Sequence, residues 1–274
     1  MKIGCVVVLY NPDIQALNNI SKYPQLDQLI LVDNSSKNNS NLFSSILLNK
    51  NVIYKPLLNN YGIAYALNLG IKSMNDDIEF VITMDQDSNL TNTIISTYRK
   101  YTLSHDNIYA LTPQYKTDRN TITNIHGVEK VDLSMQSGSL FNIKLFKIIG
   151  YFNEKLFLDV VDWEYFLRMK KYGFDLIKCN EAILIHSPAK TESKKLIFKK
   201  IRYGVASPVR YYYQARNLLW VGRKYNSIKL YINLIVKFLK IIVLFKNKKR
   251  YLEYFNKGIQ DARNNHLGKL GESN

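Results

Sequence analysis

Asp85-Gln86-Asp87 is the triplet in this chain whose chemistry is easiest to read. The preceding stretch Glu79 to Met84 is short, β-branched and aromatic, and follows the polar run Asn75-Asp76-Asp77, which is the pattern of a buried strand. Two carboxylates one residue apart therefore emerge where a strand meets solvent. They repel each other, and a hard divalent cation relieves the repulsion. Mg²⁺ and Mn²⁺ prefer oxygen and are commonly held by one or two carboxylates together with substrate phosphates. An Asp-x-Asp triplet alone also fits a solvated turn, so the strand before it and the motifs around it carry the metal–diphosphate reading. A second group of acids, Asp159, Asp162 and Glu164, is set among apolar residues, where desolvation raises a carboxylate's pKa and makes it a better base. Asp162 equally suits the N-cap of a helix carrying Tyr165, Phe166 and Met169 on one face. His186 follows the apolar run Ala182-Ile183-Leu184-Ile185, a position where a lone histidine is more often structural than functional.

The elements that must position these groups alternate strand and helix, as in a parallel α/β sheet. Ile3 to Leu9 is a continuous apolar run, expected of a strand covered on both faces, and ends in the turn Tyr10-Asn11-Pro12. Gln28 to Val32 is a second strand, closed by Asp33-Asn34-Ser35-Ser36, and Asn51 to Tyr54 is a third. Asn60-Tyr61-Gly62 leads into a helix from Ile63 to Ser73. Ligands of open parallel sheets bind outside the carboxyl ends of the strands, where Asn11, Asp33, Asn60, Asp85 and Asp87 all fall. Each is also an ordinary turn or cap residue, so their shared position counts for more than any one of them. Ser137-Gly138-Ser139 reads as a tight turn at the start of another strand.

Composition bounds the class. The 274 residues are 46% hydrophobic and 12% aromatic, which is globular and long enough for one large domain with an appendage. Cys5 and Cys179 lie in apolar runs and read as buried thiols, with no disulfide framework or zinc pattern. A strand starting at Ile3 with only Lys2 as a basic flank argues against a secretory signal and for a reducing cytoplasmic setting. Charge is sharply divided. Residues 1–189 carry 18 basic and 18 acidic side chains, whereas residues 190–274 carry 20 and four, so the whole net charge of +16 belongs to the C-terminal part. Such asymmetry points to a polyanionic surface, either phospholipid or nucleic acid.

Taken together, Val7-Val8-Leu9-Tyr10-Asn11-Pro12, Val32-Asp33-Asn34-Ser35-Ser36, Asn60 to Gly70, Met84-Asp85-Gln86-Asp87-Ser88, Ser137-Gly138-Ser139, Leu158 to Glu164 and Arg210 to Asn217 resemble the family 2 glycosyltransferases, within them the rhamnosyltransferase-like group. The match runs in order over about residues 3–220. It implies a GT-A fold, with a Rossmann-like nucleotide-binding half and an acceptor-binding half on one continuous, mostly parallel sheet, and inverting transfer from a nucleotide sugar. On this resemblance Asp33 hydrogen-bonds the pyrimidine, flanked by Leu9, Tyr10 and Asn11. Asn60, Gly62 and Asn68 line the nucleotide side, with Asp85 facing the ribose and Gln86 beside it. Asp87 and His186 bind Mg²⁺ or Mn²⁺. Asp162 is the general base, although Val161 precedes it where many relatives have Glu, with Asp159 as the alternative. Ser137, Gly138, Asp159, Trp163, Glu164, Arg210 and Arg216 serve the acceptor or the diphosphate. Donor sugars other than rhamnose, a UDP-hexose or UDP-galactofuranose, fit the same residues.

Beyond Trp220 the resemblance fades, which sets a boundary between a catalytic part, 1–220, and a basic helical tail, 221–274. Ile228 to Phe245 is apolar but carries Lys229, Asn233, Lys237 and Lys240, which form one polar stripe on a helix. Three lysines disfavour a membrane-crossing segment. A helix lying in the interface of an anionic membrane fits better, lysines toward the headgroups and aliphatic residues toward the acyl chains. Packing on the catalytic part or on a second copy, as a homodimer, is the alternative. These features together imply an enzyme on the cytoplasmic, inner face of a bacterial plasma membrane that acts on a lipid-linked saccharide. A nucleic-acid binder using the tail is disfavoured, because no nucleic-acid-binding motif is present. A protein that only binds sugar nucleotides is disfavoured by the presence of both Asp87 and Asp162.

Overall fold

A computed structural model describes residues 1–105, 107–117, 122, 125–186, 191–196 and 199–271. In chain order the elements are β1 (Ile3–Leu9), α1 (Ile14–Ile20), β2 (Gln28–Asp33), β3 (Val52–Pro56), α2 (Ile63–Lys72), β4 (Phe80–Asp85), α3 (Asn92–Ser104), β5 (Ala110–Lys116), β6 (Val128–Val131), β7 (Ser139–Asn142), α4 (Ile143–Ile149), α5 (Val161–Lys171), β8 (Leu176–Ile185), β9 (Thr191–Leu196), β10 (Lys199–Gly204), α6 (Pro208–Tyr225), α7 (Ile228–Leu244) and α8 (Lys248–Arg263). They form two compact units, residues 1–152 with 165–187 and residues 153–164 with 188–274.

The first unit is built on an eight-stranded sheet in the order β3-β2-β1-β4-β7-β5-β8-β6. β1 to β4 run parallel, β7 turns antiparallel between β4 and β5, and β5 pairs parallel with β8. β1 is buried along its whole length, as its unbroken apolar run requires. The register sets the site. Leu9 is opposite Asp33 on one side of β1, and Val8 is opposite Asp85 on the other, so the two aspartates end the strands that flank β1, at one edge of the sheet. One face of the sheet packs Ile3, Cys5, Val7 and Leu9 with Ile94 and Tyr98 of α3. An aromatic group surrounds Phe141, which meets Tyr165 edge-on and Phe166 in a stack, with Phe146 and Phe152 nearby. Burial drives the Cys179 thiol up to about 12, so it is an inert packing group, and Cys5 is likewise a buried free thiol.

The second unit packs α6 against α7 and α8, beside the β9–β10 hairpin. The boundary expected at residue 220 therefore falls inside one compact body. α6, assigned on sequence to the catalytic part up to Trp220, buries Tyr211 and Ala215 among the helices of the tail. Among the described residues no helix is long and apolar enough to cross a membrane.

Candidate active site

The triplet after β4 is braced from behind. The Asp85 N–H donates to Ser137 Oγ at 3.0 Å, and Ser137 Oγ donates to Ser88 Oγ at 3.1 Å. Tyr23 Oη donates to the Ser88 carbonyl at 2.9 Å, and Asn19 Nδ2 to the Gln86 carbonyl at 3.2 Å. The Gln86 side chain faces the first strand, accepting from the Tyr10 N–H at 2.7 Å and donating to its carbonyl at 3.2 Å. Gln136 Nε2 donates to Asp85 Oδ1 at 2.6 Å, which fixes the orientation of that carboxylate.

Onto this turn β8 delivers His186. Its backbone bridges Ser88, its Nδ1 lies 3.0 Å from Ser88 Oγ and 3.7 Å from Asp87 Oδ1, and its side chain is 11% exposed. Ligand atoms of Asp85, Asp87 and His186 all fall within 4.8 Å of one another. Two carboxylates and an imidazole are hard and borderline donors that suit Mn²⁺ or Mg²⁺, with open positions for phosphate oxygens. Asp85, expected at the ribose, thus joins the two residues expected to hold metal.

The neighbouring strand ends form a rim. Tyr10 is 52% exposed, and Asn11 has φ 44°, its N–H donating to Ser35 Oγ at 2.7 Å. Asn34 Nδ2 donates to Asn60 Oδ1 at 3.0 Å, while Asn34 Oδ1 accepts from the Tyr61 N–H at 2.8 Å. Asn60 Oδ1 also accepts from the Gly62 N–H at 3.0 Å, and Gly62, with φ 89°, opens α2 in a conformation that favours glycine.

Several expected contacts prove to be braces. Leu9 is fully buried and offers its carbonyl to Asn34 N–H, so its side chain belongs to the core. Asp33 is fully buried and its carboxylate is saturated. Oδ1 accepts from Ser35 N–H and Oγ, and Oδ2 from Tyr54 Oη at 2.5 Å and Asn39 Nδ2 at 2.8 Å. In this state it organises the loop after β2, and burial together with that bond raises the Tyr54 phenol. Asn68 is 2% exposed and exchanges two 2.9 Å bonds with the Phe152 backbone, so it ties α2 to that loop instead of lining a nucleotide. Ser137 is 1% exposed and supports the triplet from within. Gly138 has φ 81°, its N–H donates to the Thr83 carbonyl, and its own carbonyl accepts from Tyr98.

In the second unit, the residues before Asp162 form a contorted loop. Phe157, Asp159 and Val160 have φ of 62°, 58° and 65°, a region that costs non-glycine residues energy and is unusual for a β-branched one. α6 clamps it. Asn217 Nδ2 donates to the carbonyls of Leu156, Leu158 and Asp159 at 2.9, 2.7 and 2.9 Å. Arg210 forks onto the Asp159 carboxylate, Nη2 to Oδ1 at 2.6 Å and Nε to Oδ2 at 3.1 Å. Asp159 is thereby committed to a bidentate ion pair, which excludes it as a base in this geometry and occupies Arg210. Arg216 is 1% exposed and donates to the carbonyls of Gly268 at 2.7 Å and Leu156 at 2.9 Å, so burial keeps it from a diphosphate. Glu164 is fully buried, accepting from Lys224 Nζ at 2.9 Å and Tyr225 Oη at 2.7 Å, and so anchors α6 instead of meeting an acceptor. Asp162 is not the N-cap. It lies within the first turn of α5, half-buried beside half-buried Trp163, whose N–H donates to Asp162 Oδ1 at 2.9 Å.

The supporting residues Gln136, Ser35, Tyr54 and Asn217 escaped the sequence-derived set of site residues. Only Asn217 and Ser35 stood within quoted motifs, and nothing in their types separated brace from ligand.

The class of protein follows from the family match: the chain is a glycosyltransferase. The chain belongs to glycosyl transferase family 2, whose pattern matches residues 14–166. Over 281 residues it is 28% identical to the dTDP-rhamnosyl transferase RfbF of Shigella flexneri, spanning 94% of this chain and 93% of that protein. Among solved structures, S. aureus TarS 1-349 in complex with UDP-GlcNAc superposes with a TM-score of 0.61 at 14% identity, over 96% of this chain and 82% of that one. The mannosyltransferase PcManGT from Pyrobaculum calidifontis, in complex with GDP-Man and Mn²⁺, gives 0.60 at 12% identity, over 98% and 76%. These structural likenesses establish the GT-A fold.

Proposed function

We propose that the protein transfers L-rhamnose from dTDP-rhamnose, with inversion, onto a lipid-linked saccharide during synthesis of a bacterial surface polysaccharide such as capsule. The observation that carries this reading is the near full-length similarity to a dTDP-rhamnosyl transferase, held together with an Asp-Asp-His cluster at the carboxyl edge of the sheet. Asp85, Asp87 and His186 would hold Mg²⁺ or Mn²⁺, which when bound supplies Lewis-acid neutralisation of the leaving diphosphate. Tyr10 and Asn11 flank the base, and Asn60 and Gly62 shape the rim on the nucleotide side. Asp162 takes the proton from the acceptor hydroxyl as its oxygen attacks the anomeric carbon opposite the diphosphate. A single displacement then inverts the configuration, and a positioned base contributes about 10²–10⁴-fold. Arg210 and Asn217 act indirectly, by holding the loop from which Asp162 projects. The enzyme works at the inner face of the plasma membrane, where such an acceptor resides.

Thermal shift with a panel of nucleotide sugars, with and without Mn²⁺, tests the reading on wild type and Asp87→Ala. Metal-dependent stabilisation by dTDP-rhamnose, lost in the variant, is expected. A selective response to a UDP-sugar would keep the enzyme class and overturn the donor. No response to any nucleotide sugar would overturn both.

A further inference from the structure

Helix α7 turns its aliphatic face to solvent. Ile228, Ile232, Ile235, Leu239 and Ile242 recur at alternating spacings of four and three, which places them on one side of a helix, with Val236 and Val243 alongside. All seven are exposed, Ile228 at 74%, Ile235 at 57% and Leu239 at 52%. The opposite side is satisfied, since Leu230, Ile241 and Leu244 are buried, the latter two in a cluster with Tyr211, Phe245 and Phe255.

The lysines correct the expected stripe. Lys240 donates to the Gly204 carbonyl and lies over the Tyr203 and Phe245 rings at 5.6 and 5.7 Å, and Lys237 lies 5.7 Å over Tyr211. Both are thus turned onto the protein rather than outward toward headgroups. The exposed cations sit instead at the two ends of the stripe, Arg223 and Lys229 at one and Lys246, Lys248, Lys249 and Arg250 at the other. By helical position Tyr231 and Phe238 border its side.

We propose that this face of α7 is the docking surface of the protein for an anionic phospholipid bilayer, with the helix lying in the plane of the interface. Its 17 residues extend roughly 25 Å at 1.5 Å per residue, and an aliphatic stripe bordered by aromatics and ended by cations has the make-up of an interfacial helix. Charge selects the partner. Residues 190–274 hold 20 basic and four acidic side chains, an excess that an anionic surface attracts and that opposes apposition of a second copy. The inference shares with the proposed function only the membrane-borne acceptor, and its evidence is independent of donor and chemistry.

Co-sedimentation with vesicles, without donor or metal, tests it separately from catalysis. Wild type is expected to pellet with phosphatidylglycerol-containing vesicles, more weakly with pure phosphatidylcholine, and less as salt rises. Ile235→Glu with Leu239→Glu should cut the bound fraction at least tenfold while the melting temperature is unchanged, both sites being exposed. Lys248→Gln, Lys249→Gln and Arg250→Gln together should reduce binding to anionic vesicles several-fold and leave the phosphatidylcholine fraction unaltered. Wild type remaining in the supernatant, or the double variant pelleting like wild type, would overturn the proposal. So would a dimer in light scattering that the double variant dissociates while vesicles bind neither, which would assign the face to a second copy.

Discussion

Asn217→Ala isolates the clamp that holds the loop before Asp162. Asn217 is fully buried, and its amide serves three carbonyls of that loop while its Oδ1 accepts from Arg216 Nε at 2.9 Å. A residue held in a sparsely populated positive-φ conformation costs about 1–3 kcal/mol, so Phe157, Asp159 and Val160 together store several kcal/mol that their surroundings must offset. Truncation leaves buried acceptors unsatisfied at about 1–3 kcal/mol each, partly relieved because the loop relaxes once released. The net expectation is a loss of about 2–4 kcal/mol in urea unfolding. Asp162 lies two residues beyond Val160, so relaxation displaces it, and a displacement of about 1 Å lowers turnover by roughly 100-fold. The rim proposed to hold the nucleotide, Tyr10, Asn11, Asn60 and Gly62, belongs to the other compact unit, so the KM for donor should stay within about twofold while kcat falls. Donor-saturated transfer assays beside urea titration separate these effects. Wild-type stability would refute the clamp. A raised donor KM with unchanged kcat would refute the claim that it acts on Asp162.

Gln136→Ala removes the 2.6 Å bond that orients Asp85, and should weaken Mn²⁺ binding by about 10–100-fold in calorimetry without unfolding the protein. Arg216→Lys keeps the charge but cannot span the Gly268 and Leu156 carbonyls together, so stability should fall by about 2–4 kcal/mol in denaturant titration. The Tyr212 phenol is pushed up to about 12 by burial and by its bond to Asp261, which favours its neutral form in the folded protein. Its contribution is therefore complete below the ordinary tyrosine pKa of about 10 and is lost as pH rises from there through 12. Unfolding measured across this window should be less pH-dependent in Tyr212→Phe.

The edge of the sheet was readable because strand patterning is one-dimensional. Unbroken apolar runs ended at Leu9, Val32 and Met84, and parallel pairing with matched register placed what followed them side by side. His186 was not legible in this way: patterning made a lone histidine after an apolar run more often structural, its metal role came from the family resemblance, and only the bridge from the end of β8 to Ser88 brings it to the triplet. What escaped was the difference between a polar residue that meets a ligand and one that holds the residue that does. Arg216 and Glu164 have the types that bind phosphate and sugar, yet lie buried against carbonyls and a lysine because α6 packs into the tail helices. Asn68 likewise spends its amide on the Phe152 backbone, a partner far along the chain, and Asp33 spends its carboxylate on Ser35 and Asn39 of the next loop and on Tyr54 of β3. Lys237 and Lys240 departed from expectation for a related reason. Sequence placed them on one face of α7 but could not say which face its neighbours would cover.

Transfer of labelled sugar from dTDP-rhamnose into the lipid fraction of a bacterial membrane extract, with Mn²⁺ and purified protein, tests the central claim most directly. The account predicts incorporation by wild type, inverted at the anomeric carbon, with Asp87→Ala and Asp162→Asn each lower by at least 100-fold. Label transferred only from a UDP-sugar, or equal incorporation by wild type and the two variants, would contradict it.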